Sequence, residues 1–424
     1  MTRRRFLAAG GRVALLAATV GTPAVARAAR PSVLVVGGGF GGATAAKYLR
    51  LWSDGGIDVT LIEPDSRFVS CPLSNLVLGG TRQIADLTQS YDGLVRRHGV
   101  RLLRDSVRSI DAERRTVRLA GADVLAYDRL ILSPGVGFMW DELPGMRLAG
   151  AQDRILHAWK AGEQTLALRA QLGAMPDGGT YALTVPPAPY RCPPGPYERA
   201  CQVAHYFSRH KRKSKVLLLD ANPVVVFKGA LFRRIWQERY PGMIEYRPGF
   251  RTVDVDAGER TAISELGERV AASVLNVVPP QRAGDIALHT GLANANRRWC
   301  DVDFLSFESA QAKHIHVIGD AIQTAPLMPK SAHMANQHAK VCAAAVVNLL
   351  AGQEPEPRPM MTNTCYSFVT DKEVIHVASV HAYDPSRKTL LVVPGAGGLS
   401  TAASEREGVY AESWARNIWA DTLA

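Results

Sequence analysis

Among its 424 residues the chain has only six cysteines, and no two are spaced Cys-x-x-Cys. A zinc ribbon and a thioredoxin-type dithiol are therefore excluded, and no metal site is expected. Without Cys-x-x-Cys-His the chain cannot attach a c-type haem of its own. No apolar run of about 18 residues lies in the body of the chain, so a polytopic membrane protein is excluded. The 37 Gly and 25 Pro follow no short period, and 47% of residues are hydrophobic. Collagen-like and disordered classes fall away with that composition. Aromatic residues are 7%, and none interleaves the basic run His210-Lys211-Arg212-Lys213. That run reads as a solvated loop, not a nucleic-acid site.

The net charge of +11 is partly an effect of the first segment. Residues 1–28 hold Arg3, Arg4, Arg5, Arg12 and Arg27 and no acid; taking these five away leaves +6. Thr2-Arg3-Arg4-Arg5-Phe6-Leu7, an apolar stretch from Val13 to Val20, and small residues around Ala26 follow the order of a secretory signal. The paired arginines are of the twin-arginine type, an export route for folded proteins. The expectation is a mature chain starting near Ala29, in the periplasm, with no membrane span.

Beyond the leader, compact apolar runs alternate with helical patterns. Strands are expected at 32–36, 58–63, 129–133, 180–185, 215–220, 273–278 and 315–320, with helices at 43–52, 157–172 and 332–350. Such alternation predicts an α/β protein with doubly wound parallel sheets. Pro355, Pro357 and Pro359 mark a linker before a last segment of alternating strands, in which residues 414–419 form a short amphipathic stretch.

Val36 is followed by Gly37-Gly38-Gly39-Phe40-Gly41-Gly42, a Gly-x-Gly-x-x-Gly between strand and helix. Gly37 permits the turn, Gly39 lets backbone approach a pyrophosphate, and Gly42 lets helix pack on strand. Glu63 ends the second strand, where an acid accepts ribose hydroxyls. Together these predict a bound dinucleotide. The late strand ending in Gly319-Asp320 before a long helix resembles the late FAD motif of flavoproteins with two dinucleotide domains; that resemblance favours FAD over NAD and implies a discontinuous FAD domain, 29–140 with 285–352. Residues 141–284 are then a second Rossmann-like domain, and 353–424 a small C-terminal α+β domain. The first strand of the second domain runs into Pro186-Pro187-Ala188-Pro189, and proline offers no N–H to a phosphate. No working NAD site is expected there.

Of the cysteines, Cys201 and Cys342 sit in helical patterns as small core residues, and Cys300 has no evident partner. Cys192 and Cys365 are loop-like. A structural disulfide between them would close a very long loop, worth about 5 kcal/mol in the chain-entropy picture. Spacing alone does not choose between that and a catalytic role.

The chain resembles the flavoprotein subunit of flavocytochrome c sulfide dehydrogenase, a glutathione reductase-like fold. The likeness is carried by Val35 to Tyr48, Cys71-Pro72-Leu73-Ser74-Asn75, Arg191-Cys192-Pro193-Pro194-Gly195-Pro196-Tyr197-Glu198-Arg199-Ala200, Pro329-Lys330-Ser331 and Asn363-Thr364-Cys365-Tyr366-Ser367. By that resemblance Cys71 matches a cysteine able to bond covalently to the flavin 8α-methyl carbon. Cys192 and Cys365 match a redox disulfide beside the flavin, and Lys330 would lie near its pyrimidine end. Glu198 is a proton handler or, equally, part of a helix salt bridge. The implied activity is sulfide oxidation to sulfur or polysulfide, with electrons passing through FAD to a separate cytochrome c subunit carrying one or two haems. The alternatives are a sulfide:quinone reductase and a non-catalytic flavoprotein auxiliary to a sulfur-oxidising multienzyme system.

Overall fold

The computed structural model describes residues 30–424. The leader expected over residues 1–28 lies outside the described residues.

The chain opens with Ser32–Val36 (β1), Phe40–Trp52 (α1) and Asp58–Ile62 (β2). Ser74–Gly79 (α2), Arg101–Leu103 (β3), Arg129–Leu132 (β4) and Val136–Phe138 (β5) follow. Next come Glu163–Ala174 (α3), Thr180–Val185 (β6), Gly195–His210 (α4), Lys215–Asp220 (β7), Gly229–Arg239 (α5) and Ile244–Pro248 (β8). Val274–Val277 (β9), Gln281–Ala283 (β10), Ile315–Val317 (β11) and Ala332–Leu350 (α6) lead to the last segment. That segment holds Met360–Phe368 (β12), Val374–Asp384 (β13), Thr389–Val392 (β14) and Glu405–Leu423 (α7).

Two parallel sheets organise the molecule. The first has the order β11-β4-β1-β2-β3 and takes its edge strand from far along the chain. The second has the order β8-β7-β6-β9. The crossovers β1–α1–β2, β6–α4–β7 and β7–α5–β8 carry helices, so the central strands are buried on two faces, and their continuous Val, Leu and Ile runs follow from that. Val33, Val35, Leu61, Leu130 and Ile131 in the first sheet, and Tyr181, Leu183, Val216 and Leu218 in the second, are fully buried. Each such side chain stabilises the fold by about 1.5–3 kcal/mol. The antiparallel pair β5–β10 joins the passages out of and back into the first sheet.

The third region is antiparallel, β12-β13-β14, and is closed by α7. This helix has 19 residues, longer than the short amphipathic stretch at 414–419 suggested. Its buried face is Gly408, Ala411, Ala415, Ile418, Thr422 and Leu423. Its last carbonyls, of Ala420 and Asp421, each accept from Lys47 Nζ at 3.0 Å, a cation at the negative helix end. The Asp421 carboxylate adds Tyr48 Oη at 2.5 Å, Asn336 Nδ2 at 2.7 Å and Lys340 Nζ at 2.8 Å. The helix is thereby tied to both α1 and α6. Among the described residues no helix is long and apolar enough to cross a membrane.

One helix starts later than its periodicity predicts. Residues 157–162 form a loop, and α3 begins at Glu163. The cause is distant in sequence: Arg199 takes the carbonyls of His157 at 2.9 Å and Ala158 at 2.7 Å. These bonds tie the segment to α4 in its loop form.

Candidate active site

A cavity of about 390 Å³ opens at the carboxyl ends of the first-sheet strands, where open α/β sheets bind their ligands. The first wall is the glycine turn between β1 and α1. Gly37 has φ +95°, and a Cβ there would lie 2.3 Å from the Ser133 carbonyl oxygen. A Cβ on Gly42 would lie 1.8 Å from the Gly37 carbonyl oxygen, so this glycine serves the close packing of helix on strand. Gly39 differs: a Cβ there would meet nothing within 4 Å, and the residue lines the cavity. Glu63 also lines it, accepting from Gly38 N–H at 2.5 Å and Asp65 N–H at 2.8 Å. Burial pushes its carboxyl above the usual range in spite of those two donors. Gly319 and Asp320 reach the same cavity from the turn after β11, with Gly319 at φ +74°.

The second wall carries sulfur. Cys71, Cys192 and Cys365 all line the cavity, and all six cysteines of the chain are free thiols. Cys201, Cys300 and Cys342 are buried in the core. The disulfide expected between Cys192 and Cys365 is thus present as two thiols at one cavity. Cys192 stands just before α4 in the left-handed region, φ +57°, with its N–H donated to the Lys330 carbonyl at 2.8 Å. It is enclosed by protein on most sides yet open to the cavity. That enclosure pushes its thiol up, and the nearby Glu198 and Cys365 push it further. Cys365 is on β12, its Sγ 3.5 Å from Asn363 Nδ2. Burial raises its thiol, with Lys228 as the main opposing influence.

Glu198, in the first turn of α4, lies between these groups. It accepts from Asn75 Nδ2 at 3.1 Å and from the Phe368 N–H at 3.0 Å. Its carboxyl is raised by burial. Among the described residues it makes no ion pair. The helix salt bridge weighed from sequence is absent because Arg199 spends its donors on Asn75, His157, Ala158 and Asn276.

Residues 357–423 match the model described as "Flavocytochrome c sulphide dehydrogenase, flavin-binding", and 165–279 match "Sulfide dehydrogenase [flavocytochrome c] flavoprotein chain, central". Residues 31–173 match the pyridine nucleotide-disulphide oxidoreductase model. A flavocytochrome c sulfide dehydrogenase flavoprotein chain from Chlorobaculum thiosulfatiphilum is 64% identical over 45 residues, 11% of this chain and 92% of that sequence. The chain belongs to the flavocytochrome c sulfide dehydrogenase flavoprotein family. A mitochondrial sulfide:quinone oxidoreductase from Dictyostelium discoideum is 22% identical over 300 residues, 68% of this chain; the match spans 64% of that relative's length. In fold, the chain is similar to the sulfide:quinone oxidoreductase of Aquifex aeolicus, with TM-score 0.74 and 17% identity, covering 92% of this chain and 91% of that one. Putidaredoxin reductase in its covalent complex with putidaredoxin gives TM-score 0.66 at 18% identity, over 92% and 93%.

For a member of this flavoprotein family the cavity fits its cofactor. The open backbone at Gly39 is a cradle that a side chain would fill, and Glu63 and Asp320 offer carboxylates along it. The second dinucleotide position fits none. Asp220, the acid at the end of β7, is fully buried and taken up by Tyr197 Oη at 2.7 Å, Tyr246 Oη at 3.1 Å and the Asn222 N–H at 2.9 Å.

The resemblance puts Lys330 near the pyrimidine end of the flavin; its side chain does not line the cavity. Its Nζ donates to the carbonyls of Asp320 at 2.9 Å and Ile322 at 2.6 Å and stands 3.6 Å from the Trp299 ring centroid. Burial lowers its ammonium to about 7. The side chain points back to brace the Asp320 turn. At the cavity itself stands the N-terminus of α6, Ser331 to His333, whose free N–H groups carry partial positive charge.

Lys228, Lys160 and Arg191 were not singled out from sequence. Arg191 and Lys160 line the cavity near Cys192. Their only signal is adjacency: Arg191 precedes Cys192, and Lys160 lies in the loop that Arg199 shapes. Lys228, at the start of α5, has no sequence signal at all.

Proposed function

We propose that the chain is the FAD-bearing subunit of a sulfide dehydrogenase that oxidises sulfide through Cys192 and Cys365 and passes electrons to a cytochrome c subunit. One observation carries the reading: two cysteines 173 positions apart line one cavity with the glycine turn, Glu63 and Asp320. The oxidised pair is a disulfide. Hydrosulfide attacks one of its sulfurs; that S–S bond breaks, a persulfide forms, and the other cysteine leaves as thiolate. A second hydrosulfide takes the outer sulfur as disulfanide, HSS⁻, and leaves a dithiol. The sum is two hydrosulfides giving HSS⁻, one proton and two electrons. FAD, when bound, accepts those two electrons and restores the disulfide. Glu198 is placed to carry the proton, and Lys160 and Arg191 favour the entry of an anion. Cys71 lines the cavity and is the candidate for covalent flavin attachment.

The acceptor is proposed as cytochrome c because the family matches name that system, and the twin-arginine leader would put the chain with it in the periplasm. The second reading, transfer to quinone, is favoured by the likeness in fold to the Aquifex aeolicus enzyme. Sulfide-driven reduction of a haem-c partner and of a soluble quinone by the flavin-loaded chain separates the two. Quinone reduction as the faster by far would overturn the cytochrome assignment. After acid precipitation yellow colour should stay in the pellet, and Cys71→Ser should release it to the supernatant.

A further inference from the structure

The ammonium of Lys228 is buried, 7% exposed, behind the cavity wall. It donates to Ser367 Oγ at 2.8 Å, to the Cys365 carbonyl at 3.0 Å and to the Ile375 carbonyl at 3.2 Å. An ammonium has three donors and no acceptor, so these three partners saturate its charged form. Two of the three belong to β12, on and just past Cys365; the third belongs to the paired strand β13. Lys228 itself comes from the second parallel-sheet region and sits at φ +58°. A non-glycine residue there is strained, and such strain persists only where the surroundings fix it. Among the described residues three groups that carry negative charge when ionised interact with it most: Cys365 on β12, Glu198 on α4 and Cys192 in the loop before α4, with Glu407 on α7 a weaker fourth. On the far side of β12, His333 accepts the Thr364 N–H at 3.0 Å, and burial holds it neutral.

We propose that Lys228 is a positioning residue for Cys365: it fixes the Cys365 peptide from behind and stabilises the thiolate, the form that exchanges sulfur and gives up electrons. This rests on reading Cys365 as a redox thiol, and it adds a division of labour between the two cysteines. Cys192 is set differently: Arg191 and, after it, Lys228 favour its thiolate, against Glu198 and Cys365. Its N–H is held by the Lys330 carbonyl, and its sulfur stands open to the cavity. Lys228, held at the Cys365 peptide, is the foremost cation for Cys365, so in this proposal Cys365 is the leaving thiolate and Cys192, open to the cavity, is the sulfur that hydrosulfide attacks. Burial pulls the ammonium down to about 8, and thiolate formation at Cys365 opposes that pull. The two titrations are thus linked in both directions.

The test uses the flavin-loaded chain with Cys192→Ser, so that Cys365 has no sulfur partner. Its alkylation by iodoacetamide is followed peptide by peptide against pH. Lys228→Met should slow labelling of Cys365 about tenfold at pH 7, and Lys228→Arg should restore most of it. Equal curves for Lys and Met, with unchanged flavin content and melting, overturn the proposal. So does an Arg variant as slow as Met. Should Lys228→Met not fold, the coupling is read from the other side with Lys228 in place. In chain carrying ¹⁵N-labelled lysine, Cys365→Ser should lower the titration midpoint of the Lys228 ammonium; an unmoved midpoint overturns the proposal. Neither readout depends on sulfide turnover, so a chain that oxidises no sulfide would defeat the proposed function and leave this result standing.

Discussion

Two strand–turn–helix units of similar plan meet at the cavity, and they differ in what the turn contains. Between β1 and α1 the turn is glycine, with Gly39 open to the cavity and Glu63 aimed along it. Between β6 and α4 it is Pro186, Pro187, Pro189, Pro193 and Pro194, and Asp220, the acid that corresponds in place to Glu63, is saturated by Tyr197, Tyr246 and Asn222. The first unit offers backbone N–H groups and an acceptor to a ligand. The second has closed both and instead brings Cys192 and Glu198 to the first unit's cavity. One architecture thus supplies a cofactor site in one copy and reactive groups in the other. The difference lies in backbone donors and in whether one carboxylate is free.

The largest expected effect bears on the second unit. If its turn has become a reactive site, Cys192→Ser or Cys365→Ser should lower sulfide-dependent acceptor reduction by about a thousandfold or more, since groups acting as a unit fail together. Flavin content and melting should stay near the parent's. A purely structural role would show instead as activity and melting temperature falling in step.

A pair of substitutions sharpens the first unit. Gly42→Ala forces a methyl against the Gly37 carbonyl, and overpacking of that kind costs about 1–3 kcal/mol. Gly39→Ala meets nothing in the protein and should leave stability within about 0.5 kcal/mol while weakening flavin uptake. Denaturant melts and flavin titration check both; equal stability losses would mean that Gly39 is a packing residue too.

The closed acid of the second unit makes the opposite prediction. Asp220→Ala leaves the buried Tyr197 hydroxyl without its acceptor and should cost about 1–3 kcal/mol, as unsatisfied buried groups do. NADH should reduce the bound flavin no better or worse than before. A stable Asp220→Ala chain with altered NADH response would show a nucleotide site still in use.

The first unit was legible from sequence because its signals are local. Glycines, strand and acid lie within about thirty residues, and each glycine's role follows from its own backbone. The strands Thr180–Val185 and Lys215–Asp220 and the helix Ala332–Leu350 were legible for the same reason, as compact apolar or amphipathic runs. What sequence hid was set by distant partners. Arg199 unmakes the first turn expected for α3, Trp299 and two carbonyls turn Lys330 away from the cavity, and Lys228 gains its position only when β12 arrives beside it. The full length of α7 was hidden as well, since its anchors, Lys47, Tyr48 and Asn336, come from other helices.

The effect that separates a proton carrier from a packing group belongs to Glu198. Its carboxyl is raised in the folded chain by burial, against the pull of the Phe368 N–H, the Asn75 amide and Lys228. A raised carboxyl binds its proton more tightly when folded. Its penalty is therefore absent below the ordinary glutamate value of about 4.3 and grows as pH rises from there toward the raised value. Glu198→Gln removes that growth. It keeps an oxygen for the Phe368 N–H but turns an NH₂ toward Asn75, whose own oxygen already serves Arg199, so a pH-independent loss of about 1 kcal/mol is expected. The variant should be the less stable chain at pH 4 and should gain on the parent as pH rises to 8. Sulfide-dependent reduction should lose one limb of its pH profile in the same variant. A stability difference that stays flat with pH would mean that Glu198 ionises in the folded chain as it does in water, and the proton-carrying role would go with it.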